Sequence, residues 1–511
     1  MAWTVAGSDS GGGAGIQADL RAFDAFGIHG CSVVAAVTAQ NSVAVPHIEA
    51  LSHRSVEAQL AALAGDLPPA AVKTGMLGNI GNLQLLVQSV DRLRAANPSL
   101  PLVVDPVLRA TTGTSFADEA LLAGYRHEVL PRTTLLTPNR AEAAALLGLP
   151  PLLTPADVEA AARALREAGC TAVVIKGGDA GGGTSDDYVS SDHASGWLRL
   201  PRIDTRHHHG TGCTFAASAA AALALGFVPV EAVVLAKMAT VEALRCGHPA
   251  GSGAGPVKAR AGFAARVENL PAFTLPTPTG GEPRWGPATA FAPLADPDLG
   301  LYAIVDSAQW VQRVLAAGVR TVQLRIKDPA HPGLREEIRG SVAAARAHNA
   351  QLFINDYWQH AIEEGAYGVH LGQEDLATAD LDAIARAGLR LGLSTHAYWE
   401  VCRAWSVRPS YIACGPIHPT AAKAMPWIPQ GNGNLAYWCS LLPLPVVAIA
   451  GMDIERAAAA RQCGAAGVAV ISGITAAAGP EATIARYRAA IVRPTARVVR
   501  ATGSLPRSTL G

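Results

Sequence analysis

The chain has 511 residues, half of them hydrophobic, and its 41 basic and 41 acidic side chains give a formal net charge of zero. Because single hydrophobic cores stop growing at roughly 250 to 300 residues, this length predicts two domains. The balanced charge excludes the basic surface typical of proteins that bind nucleic acids or anionic membranes. We therefore expect small-molecule partners, and the sequence leaves open whether the chain forms a homo-oligomer.

The first half of the chain contains short apolar runs that end in polar or glycine residues. Five of them are typical of buried strands: TVAGSD (4–9), AVKTGM (71–76), LVVDPV (102–107), TLLTPN (134–139) and AVVIKGG (172–178). Long Ala/Leu-rich stretches separate them, which predicts an open, doubly wound α/β sheet. The longest apolar run, residues 214–236, contains Pro229 and Glu231, which favours two buried helices over a membrane span.

A glycine-rich turn, HGTGC, directly precedes the first of these two helices. Such a turn presents backbone N–H groups and the positive end of the helix dipole to an anion. That field stabilises the charge of a phosphoryl group in transfer, and it lowers the pKa of a thiol in the first turn. Cys213 is therefore a candidate base for a substrate hydroxyl that attacks a γ-phosphate, and the alternative is a small packed side chain.

Three histidines, residues 207–209, precede this turn and suggest a zinc site. Consecutive side chains in an extended loop diverge, and no acidic or cysteine partner lies at ligand spacing. We therefore expect no metal there.

Further motifs follow one another along this half: GSDSGGGAGIQADL, AVTAQNS, AVKTGML, VVDPV, TPNRAE and VIKGG. Over residues 1–265 the series resembles the hydroxymethylpyrimidine and phosphomethylpyrimidine kinases of thiamine synthesis, a branch of the ribokinase-like fold. The resemblance implies that ATP is the co-substrate and that Mg²⁺ lies near the phosphates. The chain departs from that family at His207 and His208, where the family has Asn-Thr, and at Ser10, where it has proline.

The resemblance also implies roles for individual residues. Those expected to contact the pyrimidine are Gly11, Asp19, Gln40, Met76 and Val107. Those expected near the nucleotide and its Mg²⁺ are Asp105, Asn139, Glu142 and Lys176. Those expected to form the anion hole and the base are Gly210, Thr211, Gly212 and Cys213. Two alternatives stay open, since Asp19 could be a helix-surface charge and Asp105 a strand-terminal cap.

Two segments have no sustained period. Residues 266–299 are rich in proline and glycine, which predicts a linker between the domains. The tail, residues 491–511, lacks a periodic apolar face, and we expect a loose basic end.

Between them, residues 300–490 contain eight β-branched runs separated by helical stretches. The runs are YAIVD (302–306), TVQLRI (321–326), QLFIND (351–356), YGVHLG (367–372), RLGLST (390–395), YIACGPI (411–417), PVVAIAG (445–451) and GVAVIS (467–472). This alternation predicts a compact (β/α)8 barrel, whose active site lies at the C-terminal ends of the strands.

Two carboxylates, Asp356 and Asp375, follow the third and fourth of these strands, and the cations Arg325 and Lys327 end the second. Carboxylates facing cations predict Mg²⁺ held against a diphosphate. The alternative is that each aspartate caps the helix that follows its strand.

The motifs QLRIKD, FINDYW, GVHLGQEDL, LGLSTH and GPIHPT resemble thiamine phosphate synthase across residues 300–480. In that family Mg²⁺ helps diphosphate leave the aminomethylpyrimidine, and the thiazole nitrogen captures the resulting cation. The resemblance implies diphosphate contacts from Gln323, Arg325, Lys327, Asn355 and Lys423. It implies a pyrimidine contact from Ser394, and a thiazole-phosphate cradle made of Thr420, Gly451, Ile471 and Ser472.

Two departures from that family fall in the phosphate-binding region, where Ala422 replaces a threonine and Ala450 a glycine. The backbone N–H at position 450 survives the change if φ stays negative, whereas the lost hydroxyl removes a donor. We expect weaker binding of thiazole phosphate, with activity retained.

Together these motifs predict a fused enzyme that makes the pyrimidine diphosphate and then thiamine phosphate. Three alternatives stay open: a barrel that only binds or regulates, a thiazole tautomerase with His396 as base, and a pyridoxal-type kinase in the first half. Eight scattered cysteines and an N-terminus without a signal-peptide pattern favour the reducing cytoplasm.

Overall fold

A computed structural model of the chain describes residues 1–108, 118–178, 180–277, 281–420, 427–492 and 505–510. The chain divides into two compact units, Met1–Arg284 (unit 1) and Trp285–Gly511 (unit 2). Within the described ranges, no helix has both the length and the apolar character needed to cross a membrane. Lys423 and Ala422 lie outside the described residues.

Unit 1 is built on an open, mostly parallel sheet. Its strands are β1 (Ala2–Asp9), β2 (Gly30–Ala39), β3 (His47–Ala50), β4 (Ala71–Thr74), β5 (Leu102–Val104), β6 (Leu135–Leu136), β7 (Ala172–Ile175), β8 (Thr184–Ser190), β9 (Ser195–Pro201) and β10 (Ala272–Thr274). They lie in the order β3-β2-β1-β4-β5-β6-β7-β8-β9-β10. Pairing is parallel from β2 to β7, and β3 and β8 to β10 add antiparallel edges.

Helices cover this sheet. They are α1 (Gly15–Ala25), α2 (His53–Asp66), α3 (Ile80–Ala96), α4 (Glu119–Gly124), α5 (Arg140–Leu147), α6 (Pro155–Glu167), α7 (Thr211–Ala224) and α8 (Pro229–Arg245). The long apolar run forms α7 and α8, and Pro229 opens α8, where its missing N–H costs no helical hydrogen bond. The predicted helix pair is therefore confirmed.

Unit 2 is a closed parallel barrel. Its strands are β11 (Gly300–Val305), β12 (Thr321–Leu324), β13 (Gln351–Asn355), β14 (Gly368–Leu371), β15 (Arg390–Thr395), β16 (Tyr411–Cys414), β17 (Val446–Ile449) and β18 (Gly467–Val470). Each strand pairs with the next, and β18 pairs with β11. All eight predicted strand runs fall on these strands, so the barrel prediction is confirmed.

The helices of unit 2 alternate with the strands, and aromatic rings fill the interior. The helices are α9 (Ala308–Ala316), α10 (Leu334–Ala347), α11 (Trp358–Glu363), α12 (Leu381–Arg386), α13 (Tyr398–Val407), α14 (Gly431–Leu441), α15 (Ile454–Gln462), α16 (Ser472–Thr475) and α17 (Pro480–Ala490). Tyr302, Phe353 and Tyr411 belong to the buried core cluster of the barrel. Gly392 makes room for one of them, because a Cβ there would lie 2.2 Å from Cζ of Tyr411.

The two segments without a sustained period are more ordered than their composition suggests. Within the predicted linker, β10 pairs with β9 in unit 1, and in unit 2 Ser410 Oγ donates to the Ala292 carbonyl at 2.7 Å. At the predicted loose end, the Ile428 N–H donates to the Thr509 carbonyl at 2.8 Å, and the Arg507 N–H donates to Asn434 Oδ1 at 2.8 Å. Residues 505–510 are therefore docked on the barrel, which corrects the expectation for that part of the tail.

Candidate active sites

A cavity of about 990 Å³ opens in unit 1 beside the N-terminus of α7. Eleven of the predicted site residues line it: Gln40, Met76, Asp105, Val107, Asn139, Glu142, Lys176, Gly210, Thr211, Gly212 and Cys213. Gly11 and Asp19 are not among the lining residues. The structure thus brings the pyrimidine, nucleotide and anion-hole predictions to one cavity.

The start of α7 depends on two glycines that touch. Gly210 has φ +84°, and a Cβ at this position would lie 1.9 Å from the Gly13 carbonyl oxygen. The helix begins at Thr211 with no side-chain cap. Because no side chain caps them, the first-turn N–H groups can serve an anion in the cavity.

Cys213 lies half-buried in the first turn of α7. Burial raises the pKa of its thiol to about 12, with Asp19 and Asp105 adding to the rise and Lys73 opposing it. The expectation of a lowered pKa is therefore wrong, because burial outweighs the local positive field.

Asp105 and Lys176 form an ion pair at 3.2 Å on the cavity wall. Burial alone would lower the pKa of Lys176, but the nearby Asp105 and Glu142 carboxylates raise it. A Cβ added to Gly212 would lie 3.4 Å from Nζ of Lys176, so this ion pair adjoins the anion hole. The Asp105 carboxylate therefore pairs with a lysine, which argues against the strand-cap alternative.

Asn139 and Glu142, predicted near Mg²⁺, form a capping box at the start of α5. The Glu142 N–H donates to Asn139 Oδ1 at 2.8 Å, and the Asn139 N–H donates to Glu142 Oε2 at 2.8 Å. The two residues therefore also stabilise the helix end that bears them.

Asp19 is fully buried in α1, behind the cavity wall. Its carboxylate accepts hydrogen bonds from Lys73 Nζ at 2.8 and 3.0 Å and from Thr4 Oγ1 at 2.6 Å. This arrangement excludes the helix-surface alternative, and it makes Lys73 the residue of this group that lines the cavity.

Sequence reasoning missed a second contact network in this cavity. The Asp9 carboxylate accepts the N–H groups of Gly11, Gly13 and Ala14 at 2.8 to 3.0 Å and lies 2.9 Å from Nε2 of His209. Burial alone would raise the pKa of Asp9, but the His209 hydrogen bond and these backbone donors lower it. Gly11 thus shapes the loop, and its expected contact with the pyrimidine stays a prediction.

Nε2 of His209 also lies 3.2 Å from Nε2 of Gln40, so the third histidine lies against a predicted pyrimidine contact. Among the residues that the structure describes, no group of three or more His, Cys, Asp or Glu side chains could hold a metal ion. The glycine-rich loop after Asp9 is the sequence signal that could have revealed this network.

A further missed ion pair lies where the cavity meets α8. Lys237 Nζ donates to Asp187 Oδ2 at 2.7 Å, and Asp187 Oδ1 accepts the Gly177 N–H at 2.9 Å. Both charged residues line the cavity. The bond to Gly177 ties this pair to the loop that carries Lys176.

In unit 2, Asp356 and Asp375 lie within hydrogen-bonding reach of each other. Partial burial and the Asp375 carboxylate raise the pKa of Asp356 to about 6, against the opposing effect of Arg325. Helix α11 has Tyr357 as its N-cap and no side-chain cap, so Asp356 does not act as the cap proposed in the alternative. Asp375 instead accepts the Gly372 N–H at 3.1 Å.

Two of the predicted diphosphate contacts, Asn355 and Arg325, act on Asp356. Asn355 Nδ2 donates to Asp356 Oδ2 at 2.5 Å, which orients that carboxylate. Arg325 is half-buried and Lys327 is exposed, while Gln323 is buried and donates from Nε2 to the Tyr302 hydroxyl at 3.3 Å. Arg325 thus acts on the Asp356 carboxylate, and the amide nitrogen of Gln323 is bonded to a hydroxyl inside the barrel.

Ser394, the predicted pyrimidine contact, is the penultimate residue of β15 and has a partly exposed side chain. Its Oγ lies 2.9 Å from Nε2 of His370, and its carbonyl accepts from Gln373 Nε2 at 2.7 Å. Burial lowers the pKa of His370 to about 3, so this imidazole is neutral near pH 7.

His396, the base in the tautomerase alternative, has Nδ1 2.9 Å from Glu400 Oε2 and stacks on Trp427 with ring centroids 3.9 Å apart. These two contacts fix the orientation of the imidazole.

The predicted thiazole-phosphate cradle lies at the ends of β16 to β18. Thr420 follows β16, Ile471 and Ser472 are exposed at the start of α16, and Gly451 has φ +68°. Ala450 has φ +77°, so the condition that φ stays negative at this position is not met. That conformation costs a non-glycine residue roughly 1–2 kcal/mol.

Two family models match the chain, one to each unit. A phosphomethylpyrimidine kinase model matches residues 9–258, and a thiamine monophosphate synthase model matches residues 301–474. The kinase family model and the open sheet of unit 1 together confirm the ribokinase-like class predicted for this unit.

Individual relatives agree with the two models. The chloroplastic thiamine biosynthetic bifunctional enzyme of Arabidopsis thaliana is 35% identical over 485 residues, which are 92% of this chain and 89% of that protein. The thiamine-phosphate synthase of Serratia proteamaculans is 55% identical over 180 residues, 35% of this chain and 85% of its own. A solved pyridoxal kinase from Staphylococcus aureus with ADP is 31% identical, has a TM-score of 0.47, and covers 50% of this chain and 92% of its own.

Proposed function

The chain belongs to the bifunctional enzymes of thiamine biosynthesis, with a kinase half and a thiamine-phosphate synthase half, and we propose how its residues divide the work. Unit 1 transfers the γ-phosphate of ATP to hydroxymethylpyrimidine and then to its phosphate. Unit 2 joins the resulting diphosphate to hydroxyethylthiazole phosphate, releasing diphosphate and thiamine phosphate. The observation that supports this division is that paired lysines and carboxylates line one cavity in unit 1, while Asp375 and Arg325 both act on Asp356 in unit 2.

In unit 1 the transferred phosphoryl group lies over the first-turn N–H groups of α7, between Lys73 and Lys176. Both lysines line the cavity, and each is held by a carboxylate at 2.8 or 3.2 Å. Fixed cations and N–H groups stabilise the charge of a phosphoryl group in transfer at little reorganisation cost. Gln40, which lies beside His209, orients the pyrimidine.

Cys213 is the acceptor of the substrate hydroxyl proton in this mechanism. Because burial raises its pKa to about 12, it is a thiol near pH 7 until ligands bind. A cation bound with ATP would offset Asp105, one of the two carboxylates that raise this pKa. Loss of the thiol proton to solvent leaves a Cys213 thiolate, which accepts the substrate hydroxyl proton as the substrate oxygen bonds to the γ-phosphorus and ADP leaves.

In unit 2 we assign Mg²⁺ to Asp356 and Asp375, which fit it. Two adjacent carboxylates, one with its pKa raised to about 6 by partial burial and by the other, form a hard oxygen site that favours a divalent cation. Bound there, Mg²⁺ would supply charge stabilisation to the leaving diphosphate. Arg325, Lys327 and Asn355 hold the diphosphate, together with Gln323 and Lys423.

The other assignments complete this site. Ser394 donates to the pyrimidine, and the thiazole phosphate is held by Thr420, Gly451, Ile471 and Ser472.

Eight free cysteines support a reducing compartment, and we place the enzyme in the cytoplasm although the Arabidopsis relative is described as chloroplastic.

A one-pot reaction of the full chain tests the proposal. Supplied with hydroxymethylpyrimidine, ATP, Mg²⁺ and thiazole phosphate, it should form both pyrimidine phosphates, thiamine phosphate and diphosphate. A barrel that only binds would let the pyrimidine diphosphate accumulate. In a second reaction that also contains a thiazole carboxylate phosphate and pyridoxal, a tautomerase would isomerise the former and leave the pyrimidine diphosphate intact. Phosphorylation of pyridoxal in preference to the pyrimidine would contradict the assignment of unit 1.

A further inference from the structure

A chain of four hydrogen bonds crosses the buried core of the barrel, with two predicted substrate contacts at its ends. Gln323 Nε2 donates to the Tyr302 hydroxyl at 3.3 Å, and that hydroxyl lies 2.7 Å from the Tyr411 hydroxyl. The Tyr411 hydroxyl lies 2.7 Å from Nδ1 of His370, whose Nε2 lies 2.9 Å from Oγ of Ser394. The chain therefore joins the diphosphate side of the site to the pyrimidine side.

Packing holds the members of this chain in place. The Tyr411 ring lies 5.0 Å from Phe353 and 5.7 Å from His370, centroid to centroid, and Gly392 leaves the space that the Tyr411 ring fills. Gln323, Tyr302, Tyr411 and His370 are all buried. Buried polar groups that lose a partner are costly, so each group keeps its place in the sequence of donors and acceptors.

The chain has a direction, because each hydroxyl and the neutral imidazole carries one proton. An amide nitrogen only donates, so the Tyr302 oxygen accepts from Gln323, and the Tyr411 oxygen is the remaining hydrogen-bond partner of Tyr302 that can accept the Tyr302 proton. Tyr411 then donates to Nδ1 of His370, which leaves the imidazole proton on Nε2. That N–H donates to Ser394, whose own hydroxyl proton is left for a ligand.

We propose that this chain fixes Ser394 as a hydrogen-bond donor toward a ring nitrogen of the pyrimidine, which makes Tyr411 and His370 positioning residues for specificity. The inference rests on the proposed contact between Ser394 and the pyrimidine. Both ring nitrogens of the aminopyrimidine carry lone pairs and no hydrogen, so they accept. A ring with C–H at the contacted position gives Ser394 no acceptor and leaves a desolvated donor unpaired.

The test uses the full chain and three diphosphate substrates: the aminopyrimidine and two analogues with C–H in place of one or the other ring nitrogen. The quantity measured is kcat/KM for the pyrimidine divided by kcat/KM for each analogue. In Ser394→Ala this ratio reports only the intrinsic reactivity of the rings. With one analogue, the wild-type ratio should exceed the Ser394→Ala ratio about tenfold, the worth of one hydrogen bond.

Two phenylalanine variants locate the effect. Tyr411→Phe removes the donor to His370, so its ratio should fall at least about threefold toward the Ser394→Ala value. Tyr302→Phe removes an equally buried hydroxyl but leaves Tyr411 able to donate to His370, so its ratio should stay near wild type. A wild-type ratio in Tyr411→Phe, or an equal fall in both variants, overturns the proposal.

A spectroscopic measurement keeps the inference testable if Tyr411→Phe fails to fold. In the full chain labelled with ¹⁵N-histidine, the resonances missing from His370→Gln should show a protonated Nε2 and an unprotonated Nδ1, and the reverse tautomer overturns the proposal. If Ser394→Ala matches wild type with both analogues, the contact assigned to Ser394 is wrong. Absence of coupling in the wild-type enzyme would instead contradict the proposed function itself.

Discussion

In unit 1 each of three carboxylates around the cavity lies next to its own lysine, whereas in unit 2 Asp356 and Asp375 lie next to each other. The lysine pairs are Asp19–Lys73 at 2.8 Å, Asp105–Lys176 at 3.2 Å and Asp187–Lys237 at 2.7 Å. In unit 2, partial burial and Asp375 raise the pKa of Asp356 to about 6. Each of these carboxylates in unit 1 thus has its own counter-charge, whereas the two carboxylates of unit 2 repel each other, a repulsion that a bound cation would relieve.

The largest expected effect in unit 1 concerns Cys213, whose raised pKa keeps its thiol protonated near pH 7. Cys213→Ala should slow phosphorylation by roughly 10² to 10⁴-fold, as expected for loss of a general base, while coupling in unit 2 keeps its rate. Cys213→Asp should retain more activity than Cys213→Ala, because a carboxylate also accepts the proton. Steady-state kinetics of both reactions measure these effects.

Cys246→Ala is the matched control, since Cys246 is also half-buried but is not among the residues that line the cavity. It should phosphorylate at the wild-type rate. Equal rates for wild type and Cys213→Ala would return Cys213 to a packing role.

The second test removes one ion pair of unit 1. The Asp19 carboxylate, 2.8 Å away, raises the pKa of Lys73 despite its burial, so Lys73 is charged and paired. Lys73→Met leaves Asp19 buried without a counter-charge, which should destabilise unit 1 by about 3–5 kcal/mol. Calorimetry of the full chain can follow this, because ATP raises the unfolding transition of the unit that binds it.

The exposed Lys258 offers a control, and Lys258→Met should change that transition by less than about 0.5 kcal/mol. If Lys73→Met proves equally mild, the buried pair is not what stabilises unit 1.

The third test addresses the unbalanced pair of unit 2. Asp356→Asn and Asp375→Asn each remove a charge from an oxygen-only site, so the Mg²⁺ concentration for half-maximal coupling should rise about tenfold. Metal binding needs the deprotonated carboxylate, and the pKa of Asp356 is raised to about 6. Protons should therefore compete as the pH falls through about 6, and the apparent Mg²⁺ affinity should weaken on the acid side.

Asp453 separates this role from helix capping, because it follows β17 and accepts the Arg456 N–H at 2.8 Å. Asp453→Asn should leave the Mg²⁺ requirement as it is. An unchanged requirement in Asp356→Asn and Asp375→Asn as well would remove the metal assignment.

The two units also differ in how much their sequences predict. All eight barrel strands coincide with apolar runs, because a parallel strand buried on both faces must be apolar along its length. In unit 1, β8 reads TSDDYVS, a polar segment on the antiparallel side of the sheet that no apolar run marks.

Long-range partners could not be predicted from local pattern. Lys73 and Asp19 are 54 positions apart, and His209 and Asp9 are 200 apart, so these pairs depend on which strands become neighbours. The motif resemblance predicted that Cys213, Asp105 and Lys176 share one site, and all three line the same cavity. It did not predict the rise in the pKa of Cys213, which comes from burial. The docking of Thr509 against Ile428 likewise has no periodic signal in the tail.

The smallest expected effect concerns the predicted thiazole-phosphate cradle of the barrel and depends on the backbone conformation of one residue. Ala450 has φ +77°, a conformation that glycine adopts without strain, so Ala450→Gly should stabilise unit 2 by about 1 kcal/mol. Ala459→Gly, in the middle of α15, should destabilise it by up to about 1 kcal/mol, because helical glycine loses more backbone entropy. Urea unfolding measures both variants, with unit 2 identified as the transition that ATP does not shift. The two changes in the free energy of unfolding should have opposite signs. If Ala450→Gly also destabilises unit 2, the contacts of the Ala450 methyl group outweigh its backbone strain. Any weakening of thiazole-phosphate binding by Ala450 would then come from its side chain.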